Sequence, residues 1–243
     1  MKIKSLIIFC ILSGYLQAQY DSEESNKSRF RPGIFWYFTG YKPAHPEKVR
    51  KYDRFIFDVT YSDWNGDVKP FQNHWASIGL NTNLLFDIPV VKKNTISIGL
   101  GICYGFQTIR HNQNLWVSNQ EKSTVISAIP QLNNFERNSI VGHNFSIPIE
   151  LRFRSKGWKH FKVHVGGKVG VQASLKGKTF FTDGQGRVKT SLPDIQRFTY
   201  SVHARFGIRN WALFGAYYFN PMFTNSQSSQ LNMIQMGLSV SVF

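Results

Sequence analysis

The chain has 243 residues, of which 15 % are aromatic and only 18 % are charged, and its formal net charge is +15 at pH 7. A mean hydropathy of −0.26 argues against a bundle of transmembrane helices, and the length allows one large domain or two small ones. The basic residues are spread along the chain, and its N-terminal residues have the pattern of an export signal, so we expect anionic envelope surfaces such as lipopolysaccharide as partners, and no nucleic acid.

Residues 1–18 form a predicted signal peptide. Lys2 and Lys4 give it a basic start, a short apolar core follows, and Ala18 supplies the small residue before the cleavage site. The apolar core is too short to span a membrane as a helix. The mature chain then keeps a single cysteine, Cys103, which excludes an intramolecular disulfide in this exported protein.

Residues 19–50 form a predicted N-terminal arm that is rich in aromatic residues. Its prolines break any long helix. The apolar side chains of the arm are Phe30, Ile34, Phe35, Trp36, Tyr37, Phe38 and Tyr41. Three placements stay open for them: the membrane–water interface, the wall or lumen of the following domain, or a partner protein. We take Phe35, Trp36 and Phe38 as the predicted interface residues of the arm.

The remainder, residues 51–243, alternates between apolar and small or polar side chains, which is the pattern of β-strands. The segment TISIGLGICYGFQTI is an example, because every second residue from Ile96 to Phe106 is apolar and the others are glycine, serine, cysteine or glutamine. Eight such segments are predicted, and many are unusually long: 54–64, 76–88, 95–109, 143–153, 161–175, 197–208, 211–219 and 232–243. The segment 211–219 is apolar on both faces, so its phase stays open.

Short and longer connections alternate between these segments, as they do between the two ends of a bacterial outer-membrane barrel. Glycines lie on the polar face, where an eight-stranded barrel has just enough interior space for side chains. We therefore predict an all-β fold: a transmembrane, antiparallel, up-and-down barrel of eight strands whose apolar face points to lipid. An even strand number places both termini on the periplasmic side.

At this point the chain resembles the small eight-stranded outer-membrane β-barrel proteins, OmpA-like in transmembrane architecture and abundant in Bacteroidota. The resemblance covers residues 50–243 and rests on the alternating strands, the signal end LQAQ, the strand SIPIELRF and the terminal GLSVSVF. It implies that the terminal aromatic, Phe243, belongs to the insertion signal. Phe243 departs from the usual pattern because it shares the phase of Ser239 and Ser241.

The polar face carries charged residues that we expect to point into the lumen. The predicted charge network consists of Asp58, Glu150, Arg152, Lys168 and Arg205. The same phase includes Arg54, Asp87, Lys162, His164, Arg197 and His203. Because a buried charge must be paired, a hydrogen-bonded plug is the favoured interpretation. A conducting pore is the alternative, although eight strands usually leave too narrow a lumen.

Enzyme function has little support in the sequence. His111 and His143 flank one long connection and could meet near Glu136, Ser139 or Ser146, as in a lipid A-modifying barrel enzyme. No spacing marks a nucleophile, however, and the spacing of this group does not match a zinc site. We predict no catalytic site, no metal and no cofactor.

The expected function is structural or accessory: an integral outer-membrane barrel that is a subunit of a larger outer-membrane assembly of the secretion or barrel-insertion type. The alternatives are a narrow channel for small solutes and a lipid A-modifying enzyme.

Overall fold

A computed structural model describes residues 53–67, 77–91, 95–111, 113–118, 120–127, 135–155, 160–181 and 186–242. The predicted signal peptide, the arm with Phe35, Trp36 and Phe38, and the terminal Phe243 lie outside these ranges. Within them the strands are β1 Phe55–Gly66, β2 Ile78–Pro89, β3 Ile96–His111, β4 Asn114–Ser118, β5 Ser123–Ser127, β6 Phe135–Arg154, β7 Phe161–Phe181, β8 Arg187–Ser191, β9 Phe198–Ile208, β10 Trp211–Pro221 and β11 Leu231–Ser241. None of the described residues forms a helix long and apolar enough to cross a membrane.

Eight of the described strands close into an antiparallel barrel. They pair in chain order, β1–β2–β3–β6–β7–β9–β10–β11, and β11 returns to pair with β1 from Ile56–Ser241 to Gly66–Leu231. Closure leaves no unpaired edge in the wall. The predicted fold class, an all-β up-and-down barrel of eight strands, is confirmed.

The two ends of the barrel differ in the length of their connections. At one end, called the turn end here, residues 90–95, 155–160 and 209–210 join neighbouring strands. The described chain also begins and ends there, where the Val242 amide donates to the Phe55 carbonyl. The longer connections all lie at the opposite end, called the loop end, which confirms the predicted alternation.

The loop end contains more regular structure than the sequence pattern indicates. Strands β4 and β5 form a separate hairpin within the predicted connection 110–142. Strand β6 already begins at Phe135, β7 continues to Phe181, and β8 pairs with the end of β7. These segments were predicted as loops because they are polar and do not continue the lipid-facing alternation of the barrel strands.

The outer surface of the barrel is an aliphatic band between two rings of aromatic side chains. The turn-end ring includes Phe86, Phe153, Phe161, Phe206 and Trp211; the loop-end ring includes Tyr104, Phe145, Phe198, Tyr200 and Phe219; exposed Val, Leu and Ile residues lie between them. Along β6 the two rings are about 26 Å apart, which is the length of strand from Phe145 to Phe153 at 3.3 Å per residue. Aromatic girdles around an apolar band are typical of transmembrane barrels.

The structure also resolves or corrects three details of strand phase. On β10, Trp211 and Leu213 point outward whereas Phe214 and Tyr218 point inward. Arg54 and Arg197, predicted to face the lumen, are exposed. They lie just before the first residues of β1 and β9, where the alternation of the strand does not yet hold their side chains inside.

Candidate functional site: the closed lumen

The lumen contains three layers of side chains, which we describe from the turn end to the loop end. The first layer is charged, the second consists of amides and hydroxyls, and the third is apolar. The strands supply these layers because every second residue points inward. Glycine provides space in the first layer, since a Cβ on Gly99 would lie 2.5 Å from Nε of Arg152.

Arg205 is the centre of the charged layer. Its Nε and Nη2 donate to the two carboxylate oxygens of Asp58 at 2.9 and 2.8 Å, a bidentate pair, and its Nη1 donates to Glu150. His203 Nε2 lies 3.0 Å from the same Glu150 oxygen, Oε1. Asn83 also donates to Asp58, at 2.9 Å. Both carboxylates are therefore satisfied by charged or polar partners from other strands.

The network continues from Glu150 towards the turn end. Arg152 Nε donates to Glu150 at 3.0 Å, and its Nη1 donates to Asp87. Arg154 bridges Asp87, at 2.6 Å, and Asp53, at 3.1 Å. A further cation from β7 completes the series, because Lys162 Nζ donates to Asp53 at 2.9 Å.

The charges alternate along one connected series, from Asp58 through Arg205, Glu150, Arg152, Asp87, Arg154 and Asp53 to Lys162. Within this series each carboxylate has a neighbouring cation, which repays part of the cost of removing charges from water. Its members come from five barrel strands and from Asp53, two residues before β1, so the series ties opposite walls together. Among the described residues, no group of three or more His, Cys, Asp or Glu side chains is arranged to hold a metal ion.

Lys168 faces the lumen but lies beside this series rather than in it. Its Nζ is 3.7 Å from Sγ of Cys103 and 5.2 Å from the ring centroid of Phe214. Arg205 Cζ lies 5.2 Å from the same ring. Phe214 is thus a shared cation–π partner for both cations. No salt bridge joins Lys168 to a carboxylate among the described side chains.

The middle layer consists of amide and hydroxyl side chains. Asn81 donates to Gln235 at 3.1 Å, and Asn144 donates to the Thr199 hydroxyl at 2.9 Å. All four of these side chains are buried. Hydrogen bonds between strands therefore continue the crosslinking of the wall where the ion pairs end.

The apolar layer closes the loop end, and we call it the cap. Its buried side chains are Trp64, Ile109, Ile126, Ile140, Leu175, Leu192, Tyr218, Met222, Phe223, Leu231 and Met233, with Leu115, Val117 and Ile195 packed against them. Barrel strands contribute some of these residues, whereas the β4–β5 hairpin and the irregular segments before β9 and after β10 contribute the others. The connections thus fold over the lumen opening.

Hydrogen bonds fix the cap in place. The Asp194 carboxylate accepts from the hydroxyls of Thr124 and Ser228, which joins three separate connections. The Thr124 amide donates to Ser228 Oγ, and the Ile126 amide donates to Ser229 Oγ, both at 2.9 Å. The hairpin edge is therefore paired by side chains of the connection between β10 and β11.

Little open space remains between the middle layer and the cap. A cavity of about 20 Å³ lies there, lined by residues that include Gln107, Gln172, Tyr218, Met222 and Met233. A volume of this size holds about one water molecule. The described side chains thus fill the lumen at this level.

The structure brings together Asp58, Glu150, Arg152 and Arg205 of the predicted charge network, and places Lys168 next to them without an ion pair. Asp53 and Arg154 also belong to the series, although neither was predicted from the sequence to lie in the lumen. Arg154 shares the inward phase of Glu150 and Arg152, so the alternation of β6 was a sufficient signal for it. Asp53 precedes β1 and gave no such signal.

His111 and His143, whose approach the sequence allowed as an alternative, do not meet. His111 is buried in the lumen, where its ring centroid lies 5.3 Å from that of Trp64. His143 points to the outside, and its Nδ1 lies 2.8 Å from the Tyr104 hydroxyl. The two histidines flank one connection, but β3 and β6 hold them on opposite faces of the wall.

Comparison with known proteins yields structural neighbours only. No protein-family model matches the chain, and no curated protein matches it. Two crystal structures of Ail, the attachment invasion locus protein of Yersinia pestis, do match, one of them in complex with the heparin analogue sucrose octasulfate. Each is 12 % identical over 77 % of this chain and 96 % or 95 % of the Ail chain, with a TM-score of 0.33. A likeness of this size supports no functional argument.

Proposed function

We propose that this chain is an integral protein of the bacterial outer membrane, with both termini in the periplasm. We further propose that it is a sealed barrel with a structural or accessory role, as a subunit of a larger outer-membrane assembly. The plugged lumen is the observation that carries this proposal, because a barrel filled by ion pairs, amides and an apolar cap offers no path for a solute.

The outer surface supports the membrane location. Large apolar side chains such as Phe86, Ile102 and Leu213 are each more than half exposed, which is costly in water and favourable in lipid. The two aromatic rings match the headgroup levels of a bilayer, and closure satisfies the backbone within the wall. An outer-membrane strand barrel thus explains both faces of the wall.

The filled lumen supports an accessory role over transport through the barrel itself. With the lumen filled, specific interactions depend on the outer wall, the loop end or the N-terminal arm. The arm offers aromatic side chains, which often dominate interface energies. Assignment to the OmpA-like barrels of Bacteroidota is part of this proposal and rests on the motifs LQAQ, SIPIELRF and GLSVSVF.

Conductance measurements test the sealed lumen. Purified, folded protein in planar bilayers should give no conductance steps, because the charged and apolar layers each block the lumen. A heat-modifiable band on the gel confirms in the same sample that the barrel is folded. A stable, large and weakly selective conductance would instead identify a channel.

Co-purification in mild detergent tests the accessory role. Replacement of Phe35, Trp36 and Phe38 by alanine should leave barrel folding intact and reduce the amount of co-purified envelope protein. The matched control replaces Ser22, Ser25 and Ser28 of the same arm by alanine and should behave as wild type. If the two triple variants co-purify the same proteins in the same amounts, the arm does not recruit a partner.

A further inference from the structure

Cations are concentrated on one outward face beyond the loop-end aromatic ring. Strands β3, β6, β7 and β8 lie side by side there, and their paired residues share a face. One cross-strand row runs from Arg110 through Ser139 and Lys178 to Lys189. The neighbouring rows contain Arg137, Phe180 and Arg187 on one side and Lys176 on the other. We call Arg110, Arg137, Lys176, Lys178, Arg187 and Lys189 the basic face.

This face has no acidic residue of its own. The segments 108–110, 137–141, 176–180 and 187–191, which form it, contain neither Asp nor Glu. Lys176, Arg187 and Lys189 are exposed, so their ammonium and guanidinium groups are accessible from outside. The arrangement differs from the lumen, where each member of the charged series has an oppositely charged neighbour.

The positions of the cations make the face unfavourable in isolation. Lys178 lies directly opposite Lys189 in the β7–β8 pair, and like charges in such pairs destabilise a sheet. Arg137 stacks with its Cζ 4.5 Å from the Phe180 ring centroid, which orients one cation without neutralising it. An anionic partner would remove this repulsion.

The height of the face indicates which anionic partner it meets. On β3, Phe106 faces outward next to the loop-end ring, and Arg110 follows about 13 Å further along the strand at 3.3 Å per residue. Because barrel strands tilt by about 35–45°, this distance corresponds to about 10 Å of height above the girdle, which is outside the hydrocarbon core, at the outer edge of the headgroup region. Lipopolysaccharide presents phosphate groups at this level of an outer leaflet.

We propose that the basic face binds the phosphorylated headgroups of lipopolysaccharide next to the barrel. This inference rests on the proposed outer-membrane location, and it adds a site and a ligand chemistry to that location. The cations of the basic face lie on paired strands, so phosphate binding does not require ordering of the site.

Titration of the folded barrel in phosphatidylcholine nanodiscs with purified phosphorylated lipopolysaccharide tests the proposal. We expect K176Q/K178Q/K189Q to lower the affinity at least tenfold. The control R54Q/K122Q/R197Q removes the same number of charges from exposed positions outside the face and should stay within twofold of wild type. Dephosphorylated lipopolysaccharide should bind wild type at least tenfold more weakly than the phosphorylated form.

A stability measurement without lipopolysaccharide separates binding from a structural role. In lipopolysaccharide-free micelles, the basic-face variant should melt at the same temperature as wild type or higher, because the repulsion between Lys178 and Lys189 is gone. A clear decrease in melting temperature would assign these lysines to folding and overturn the proposal.

Other outcomes overturn the inference in distinguishable ways. Equal weakening by the two triple variants would indicate a general charge effect. Binding of soluble heparin as tight as that of lipopolysaccharide would assign the face to soluble polyanions. A barrel that inserts into nanodiscs without preferring phosphorylated lipid refutes the basic face alone, whereas failure to insert refutes the proposed membrane location.

Discussion

The two ends of the lumen are closed by opposite chemistry. At the turn end, carboxylates and cations from five strands form a connected series of ion pairs around Arg205 and Arg152. At the loop end, apolar side chains from strands and connections pack around Trp64 and Phe223. Both regions consist of buried side chains, but the stability of the first depends on specific charge partners and that of the second on filled volume.

This difference determines how each region responds to change. A buried ion pair lowers the stability of the protein most when one partner is removed, because the other charge is left unpaired. Truncation of a side chain in an apolar cluster lowers stability in proportion to the volume of the cavity that remains, and neighbouring side chains can partly fill that cavity. We therefore expect single substitutions to act on the whole barrel at the turn end and locally at the loop end.

Arg205→Met should have the largest effect. It leaves Asp58 and Glu150 without their shared cation, at a cost of about 3–5 kcal/mol in the free energy of unfolding. The matched control is Lys168→Met in the same layer, which leaves no carboxylate without its ion-pair partner and should be nearly neutral. Urea unfolding in detergent micelles measures both variants. Equal costs for the two would show that the total positive charge of this layer, rather than the specific ion pairs of Arg205, determines its stability.

Leu192→Ala should cost about 2–3 kcal/mol, and the loss should be confined to the cap. Hydrogen exchange should accelerate in the β4–β5 hairpin while the amides of the barrel strands stay protected, because the hairpin packs on the wall without belonging to its ladder. Val188→Ala, at an exposed position near the same end, serves as the control. Equal acceleration in the barrel strands would mean that cap and wall unfold as one unit.

Gly99→Ala tests how exactly the charged layer is packed. The new methyl group would meet the Arg152 guanidinium at 2.5 Å, so Arg152 must shift, at a cost of about 1–3 kcal/mol. Gly215→Ala is the control, because nothing lies within 4 Å of its added Cβ. Thermal unfolding, monitored by the shift in gel mobility, distinguishes the two variants. Similar melting temperatures for both variants would indicate that the network adapts without loss.

The smallest effect is expected from acid. Burial alone would raise the pKa of Asp53, which precedes β1, but Lys162, His164 and Arg154 hold that pKa well below its ordinary value of 3.8. A lowered pKa in the folded state gives stability above the unfolded value that is lost as pH falls through the folded value. The stability difference between wild type and Asp53→Asn should thus be constant from about pH 7 to pH 5 and shrink towards pH 2. A difference that grows on acidification would contradict this sign.

The sequence predicted the wall better than the contents of the lumen. Lipid requires an unbroken apolar face, so the outward phases of β3, β6, β7 and β9 follow from simple alternation. The same alternation placed Lys168 and Arg205 inside together. Only the structure distinguishes the paired cation from the one beside Cys103, because pairing depends on which strands face each other across the lumen.

The cap was not predicted because several of its residues lie outside the barrel strands and follow no period of the wall. Leu192 and Phe223 lie in irregular segments, and Ile126 belongs to a short hairpin within a polar connection. Trp64 and Tyr218 lie near the loop ends of β1 and β10 on their inward faces. Such residues become a cluster only when the connections fold back over the opening, and local sequence does not encode that approach.

Pairing of β1 with β11 has a consequence for the order of folding. Asp58 and Arg205 are separated by 147 positions in the chain, and Asp53 and Lys162 by 109. Contacts between residues this far apart in the sequence form late, because a long loop must close first. Until the first and last strands meet, these charges remain hydrated and keep one side of the nascent sheet polar. Closure then dehydrates them together, so assembly of the wall ends in a step that rejects a misregistered barrel.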